Sequence, residues 1–386
     1  MALVPFFYNR RSLFVRKVST LASLAGVALV VFVFSTVLML GQGVETTLTT
    51  TGDPANVIVM RQGSQAEMQS GLSREASQIL SVAPEVEADA QGALATSELV
   101  VMVVLDRRDG GGASNVAIRG ITSRSLAVHH QAKVTEGRMF ERGKREVVVG
   151  RKLQDRFKGT VMGESIKLGK DSWRVVGQLE AGGSGFESEI WGDGDELMPA
   201  FQRTAFSSFT ARLRPGAFPA FKARVDGERR LKLDAKNEVD YYRDQSKNLA
   251  MFVRVLGVFV AVVFSMGAMI GAMITMYAQV ASRRREIGTL RALGFSGGAI
   301  LFGFVIESLL LSLLGGGAGT ALASLMEFAT FSTVNFATFS EVAFKFDLTP
   351  AIAITALVFS SFIGVAGGFA PAVRAARMKV VDAVRA

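Results

Sequence analysis

The sequence predicts an α-helical membrane protein with four transmembrane helices and a large α+β domain inserted between the first and second. Three observations carry this. Hydrophobic residues make up 49% of the 386-residue chain, and they collect in four long stretches near 21–42, 248–280, 299–325 and 350–370. Residues 41–250 have a different texture, with short alternating or β-branched runs punctuated by glycine clusters. The net charge of +9 is concentrated in short flanks of the apolar stretches, as the positive-inside rule expects of cytoplasmic segments.

Taken in order, 1–20 carries Arg10, Arg11, Arg16 and Lys17 without an acid. Phe6, Phe7, Leu13, Phe14 and Val15 are interspersed, the makeup of a helix lying on a membrane surface. The run that follows is longer than the core of a cleaved signal, and no small-x-small site closes it, so it predicts an uncleaved first span. The twin arginine at 10–11 is the feature that favours an export signal instead. Between 43 and 247, strands are expected at 56–60, 99–105, 116–118, 146–149, 165–168, 173–179 and 209–213. Helical pieces are expected at 73–81, 151–157, 195–206 and 218–231. Strands mixed with helices over this length make a folded extracytoplasmic domain. From 233 the sequence predicts continuous helix through the second span. Gly257, Gly267, Gly271 and neighbouring alanines along it suit close helix packing. Residues 326–349 form a short loop with an acidic balance, expected on the same side as the inserted domain. A basic tail, 371–386, ends the chain.

Residues 281–298, ASRRREIGTLRALGFSGG, lie between the second and third spans. The three arginines 283–285 mark the segment as cytoplasmic. Ile287, Leu290 and Leu293/Gly294 recur at helical spacing, which predicts a short amphipathic helix with Glu286 and Arg291 on its polar side. A plain tether needs no such pattern, whereas a helix seated in a partner's groove does.

The run R-R-x-E-I-G-x-L-R-A-L-G, then an apolar helix containing Glu307-Ser308 and a glycine run, and finally P-A-x-x-A-A near the C-terminus, resembles the MacB/FtsX-type ABC transporter permease family. The resemblance covers 1–42 and 249–386 by motif, and the inserted domain by position and size. It implies that 281–298 is the coupling helix for a separate ABC ATPase subunit, docking through Arg285, Glu286, Ile287, Leu290, Arg291, Leu293 and Gly294. Glu286 and Arg291 are expected to make polar contacts, and Ile287 and Leu290 to pack in the groove. It also implies a second permease chain, identical or similar, and mechanotransmission of ATP-driven motion to the ectodomain. A periplasmic adaptor and an outer-membrane protein are implied partners, with membrane lipid around the spans. Within the ectodomain it suggests a membrane-proximal part, 43–107 with 199–247, and an inserted part, 108–198. Efflux of a periplasmic compound, lipoprotein release and control of a cell-wall hydrolase all fit this mechanism. A membrane-anchored sensor without an ATPase is the rival from another class.

No catalytic, cofactor or metal site is expected in the chain itself, so ATP and magnesium belong to the partner. The nearest P-loop candidate, Gly137 to Gly143-Lys144, has one residue too many and Arg145 in place of the hydroxyl. Gly182 to Phe186 lacks the closing glycine of a nucleophile elbow. His129 and His130, the only two histidines, would point to opposite faces if they lay on a strand. Charge clustered in membrane flanks also argues against a nucleic-acid partner. Three kinds of position remain. Glu307 is a carboxylate inside an apolar span, either functional or paired with an arginine. Gly315, Gly316, Gly317 and Gly319 suit helix packing, within the chain or across a dimer seam. Phe186, Glu189 and Trp191 sit in an acidic-aromatic run that suits either substrate or adaptor contact or an anchored loop.

Overall fold

The computed structural model describes residues 17–334 and 340–378. The surface segment expected at 1–20 lies largely outside them, as do residues 379–386 of the tail. Two compact units emerge, one comprising 43–251 with 330–345 and the other the remaining residues.

Helix α1 (Lys17–Thr49) opens the chain and is followed by strand β1 (Asn56–Arg61). Helix α2 (Arg74–Ser81) starts where Ser73 accepts a hydrogen bond from the Ala76 amide, an N-cap that satisfies an otherwise orphaned donor. A small hairpin, β2 (Ala88–Asp89) and β3 (Gly92–Ala93), leads into the long strands β4 (Ala95–Asp106) and β5 (Ala113–Ile121). After the single turn α3 (Ser125–Val128) come β6 (Lys133–Gly137), β7 (Glu146–Gly150), α4 (Arg151–Gln154), β8 (Ser165–Leu168) and β9 (Asp171–Glu180). Then follow β10 (Glu189–Asp193), α5 (Gly194–Ala200), β11 (Ser208–Arg212), α6 (Phe218–Gly227) and β12 (Leu233–Asn237). Helices α7 (Glu238–Ser282), α8 (Arg284–Ala292) and α9 (Gly297–Ser324) precede a hairpin of β13 (Thr330–Val334) and β14 (Glu341–Lys345), and α10 (Pro350–Ala376) is the last element.

In the ectodomain the strands run in the order β12-β1-β11-β4-β5-β10-β7-β9-β6, with β8 on β9. Strand β4 serves two neighbours in turn: Ala95–Glu98 pair with β11, and Leu99–Asp106 pair with β5. Side chains alternate across the sheet, as the pleat requires. Leu99, Val101, Val116, Ile118, Val147, Val149 and Ile190 join one apolar core, while Ile121, Val148 and Trp191 join a second.

One expectation fails here. Residues 233–237 form strand β12 rather than the start of the rod, because Leu233 and Ala235 alternate into the core and the segment pairs with β1. Helical texture loses to a ladder that buries the same residues better. The two histidines are not on a strand either. They follow the α3 turn, with His129 buried and His130 exposed.

Among the described residues four helices are long and apolar enough to cross a membrane: Thr20–Thr49, Glu238–Ser282, Gly297–Phe328 and Pro350–Ala376. Ser296 caps α9, and Thr349 caps α10 with Pro350 at the first helical position. Helices α9 and α10 approach along small residues spaced by four. Ser308 lies over Gly364 and Gly368, Ser312 over Gly364, and Gly316 against Ser360. The Ser308 hydroxyl donates to the Gly364 carbonyl at 2.7 Å.

Candidate functional site

The segment 281–298 is helical where the spacing predicts it, but it presents a different face. Ile287 is only 2% exposed and packs with Met276, Val280, Ile300, Phe304, Ala372 and Ala375 of its own chain. It is therefore an internal anchor, correcting its expected place in a partner's groove. An isoleucine drawn from water onto its own helices has no apolar surface left for another protein. Leu290 and Arg291 are half-buried, while Arg284, Arg285, Glu286, Leu293 and Gly294 are exposed. The helix ends at Leu293 and Gly294, where a φ of +94° suits glycine as a terminator.

The first of the three arginines is also internal. Arg283 donates through Nη1 and Nη2 to the two carboxylate oxygens of Glu307 at 2.9 and 3.1 Å, with both side chains buried. This two-point clip joins the root of α8 to the third span, and the guanidinium also lies 5.9 Å from the Phe304 ring centroid. Glu307 is thus paired with an arginine, one of the two readings open from sequence. A bidentate pair fixes orientation as well as distance.

The glycine run packs within the chain. A Cβ at Gly315 would meet Leu24 and Val27 of α1, one at Gly319 would meet Ala28 and Phe32, and one at Gly316 would meet Ser360, while Gly317 has open space.

Phe186, Glu189 and Trp191 are interior, which corrects their reading as a substrate or adaptor contact. Phe186 and Trp191 are 0% exposed, with ring centroids 5.1 Å apart. The Trp191 indole N–H donates to Glu189 at 2.9 Å. They border a buried polar constellation not apparent from sequence. Glu98 on β4, Arg119 on β5 and Glu189 on β10 lie on adjacent strands and share the face opposite the larger core. Arg119 gives hydrogen bonds to Glu189 at 2.8 and 2.9 Å, to Glu67 at 2.9 and 3.1 Å, and to Glu98 at 2.9 Å. All five guanidinium donors are used. His129 Nε2 lies 3.1 Å from Glu98 and its Nδ1 lies 3.6 Å from Glu238. Glu238 also accepts from the Asp53 amide and from Asn56.

Burial opposes charge on the Glu98 carboxyl, yet His129 and Arg119 outweigh it and bring the pKa down to about 2. Burial likewise opposes charge on the His129 imidazole, and the neighbouring Glu98 and Glu238 carboxylates overcome it, holding the pKa above its ordinary value. His129 is therefore engaged as an ion partner. Among the described residues no group of three or more His, Asp or Glu is placed to hold a metal. A weak signal did exist in the sequence: Glu98 and Arg119 interrupt strands that are otherwise apolar, and a charge there needs a partner.

The near-motifs are turns. Gly137 ends β6, and Gly143 (φ +74°) lies in the turn before β7, its amide donating to Asp193 at 2.8 Å. Gly182 and Gly183 lie in a turn before the short helix Gly185–Ser188.

Two family descriptions match the chain: "MacB-like periplasmic core domain" over residues 20–227 and "FtsX-like permease C-terminal" over residues 258–380. The first alone takes in more than half the chain. The protein belongs to the MacB/FtsX-type family of ABC transporter permeases. With four membrane-length helices, this MacB/FtsX-type chain is a multi-pass inner-membrane protein. It is similar to the macrolide export ATP-binding/permease protein MacB of Chromobacterium violaceum, with 29% identity over 274 residues, covering 65% of this chain and 40% of that protein. It is also similar to MacB 1 of Aeromonas hydrophila, with 28% identity over 313 residues, covering 75% and 46%. The chain thus spans less than half the length of these curated relatives. Among solved structures, the periplasmic region of MacB from Actinobacillus actinomycetemcomitans aligns with 49% of this chain and 91% of that one, at 13% identity and a TM-score of 0.37.

Proposed function

We propose that this MacB/FtsX-type chain is the membrane subunit of an export system, coupling ATP hydrolysis by a separate ABC ATPase to movement of its ectodomain. The cargo is a periplasmic compound, passed on through an adaptor and an outer-membrane channel, and the working unit contains a second permease chain. The observation that carries this reading is the pattern of the match. The relatives are named as combined ATP-binding and permease proteins for macrolide export, and this chain matches 40–46% of them through its two permease-type domains. The 386 residues contain no P-loop, and in this reading the nucleotide and its magnesium are held by the ABC ATPase.

Helix α8 supports the docking role in a revised form. Ile287 and the Arg283–Glu307 clip hold the helix to its own chain. Arg285, Glu286 and Leu293 then form the outward face, Leu293 at 72% exposure. Leu293 is thus an apolar side chain whose surface a docking partner could cover. Mechanotransmission is supported by α7, which carries residues of both units in one unbroken helix. At 1.5 Å per residue its 45 residues reach roughly 68 Å, well beyond the ~30 Å of the hydrocarbon core.

The test is gentle purification of the tagged full-length chain from native membranes, with identification of co-purifying proteins. The wild type should bring an ABC ATPase. Leu293→Asp, which removes an anchor worth at least about 2 kcal/mol, should weaken that association about 30-fold, and Glu286→Lys should weaken it as well. Recovery of no ATPase, or equal recovery with both variants, overturns the docking assignment.

A further inference from the structure

A cavity of about 860 Å³ opens at one end of the membrane unit, bounded by Tyr277 to Arg284 on one side and Ala370 to Met378 on the other. These are the final turns of α7 and α10 and the first residue of α8. The cavity therefore lies where candidate spans end, at the depth of lipid headgroups. Val280, Val373, Met378 and Tyr277 also line it. Arg284, Arg374 and Arg377 line it together, and among the described residues no carboxylate does. All three arginines are exposed, in contrast to Arg283, whose guanidinium is taken by Glu307. Arg374 is also oriented: its guanidinium lies 5.6 Å from the Tyr277 ring centroid, a stacking geometry that leaves the N–H edge for another acceptor.

Arginines near helix C-termini have an ordinary explanation, namely that they answer the negative ends of the helix dipoles. Magnitude decides against that as the whole account. Two helix C-termini present roughly half a negative charge each, so the three guanidinium groups leave an excess of about two positive charges. Apolar and aromatic lining residues beside a concentrated positive charge, where candidate spans end, match a phosphate bearing acyl chains. We propose that this cavity binds an anionic phospholipid of the adjoining leaflet, with Arg284, Arg374 and Arg377 holding the phosphate and Tyr277 and Val373 facing the glycerol and upper acyl region. The site does not depend on whether an ATPase docks at α8.

The probe is phosphatidylglycerol titrated onto the detergent-purified full-length chain and followed by native mass spectrometry, with phosphatidylcholine as the neutral comparison. Each basic residue at a membrane surface strengthens attachment to an anionic headgroup about fivefold, so three give a preference of about 100-fold. The triple variant Arg284→Gln/Arg374→Gln/Arg377→Gln should bind both lipids equally. Arg254→Gln, outside the cavity, should leave the preference intact. Lack of preference in the wild type overturns the proposal without reference to any variant. A preference surviving in the triple variant overturns it too. Lipid retained in millimolar inorganic phosphate supports a lipid site, whereas its displacement overturns the lipid assignment in favour of the free anion.

Discussion

Two arginines are buried among the described residues, Arg119 and Arg283, and they are provided for in opposite ways. Arg283 faces one carboxylate, Glu307, through two parallel hydrogen bonds. Arg119 faces three, Glu67, Glu98 and Glu189, and a fourth carboxylate, Glu238, reaches the group through His129. The first is a balanced pair whose charges cancel within one contact. The second carries an excess of acid in the ectodomain interior and depends on every positive group present. A balanced pair acts as a fastener between two helices. An unbalanced cluster couples several strands to the protonation state of one imidazole.

The largest expected effect is at the unbalanced site. Arg119→Leu strands three carboxylates in a place where burial penalises charge, at the upper end of the roughly 3–5 kcal/mol typical of breaking a buried ion pair. Both tryptophans of the chain, Trp173 and Trp191, are fully buried in the ectodomain, so intrinsic fluorescence follows this unit alone. The variant should lose its native emission, or unfold far below the wild-type midpoint. Native emission with an unchanged midpoint would remove Arg119 from its organising position. No single second substitution should restore stability, because one arginine serves three acids.

The balanced site should behave differently. Arg283→Leu removes the two-point ion pair to Glu307 and should cost about 3 kcal/mol, felt locally as release of α8. The chain has no cysteine, so Ile287→Cys places a single thiol at a buried anchor. Its labelling by a maleimide should be slow, and Arg283→Leu should accelerate it about 100-fold, the equivalent of that loss. Here the double variant Arg283→Leu/Glu307→Leu should recover much of the protection, since no orphan charge remains. Equal labelling in the single and double variants would show that the clip is not what holds the helix.

The two sites also differed in legibility, for the same physical reason. Glu307 stood out from sequence because a carboxylate inside a membrane span demands a partner, and the candidate lay among three nearby arginines. Period-3.6 spacing was enough to predict α8, but not which face its own chain would claim, because that depends on Met276, Phe304 and Ala375 arriving from three other helices. The ectodomain cluster was out of reach. Its members are spread from Glu67 to Glu238 and meet only through the strand order β11-β4-β5-β10 and the approach of α7. Phe186, Glu189 and Trp191 resembled a surface loop because alternating acids and aromatics are common there. Pairing of β10 between β5 and β7 put them inside instead. The strand at Leu233–Asn237 was hidden likewise, since only β1 distinguishes it from the helix that follows.

The smallest effect sharpens the comparison most, because only one of the two sites contains a histidine, whose ordinary pKa lies near neutral pH. Burial disfavours the His129 cation, but Glu98 and Glu238 favour it more, and the folded-state pKa is raised above 6.5. A raised cationic pKa contributes stability that is fully present below about 6.5 and is lost as pH climbs through the folded value. Ectodomain stability, read by tryptophan fluorescence, should therefore decline above pH 6.5 with a slope of up to about 1.4 kcal/mol per pH unit. Glu98 sets the opposite limb. Its lowered pKa of about 2 contributes stability above about 4.5 that is lost as pH falls towards 2. In His129→Gln, a neutral side chain that still donates to Glu98, the overall midpoint should drop and the decline above pH 6.5 should flatten. Ile287→Cys labelling, which reports the Arg283–Glu307 clip, should show no matching step in opening equilibrium once the thiolate fraction is corrected for. If His129→Gln keeps the wild-type slope, the imidazole is not a cation held between Glu98 and Glu238.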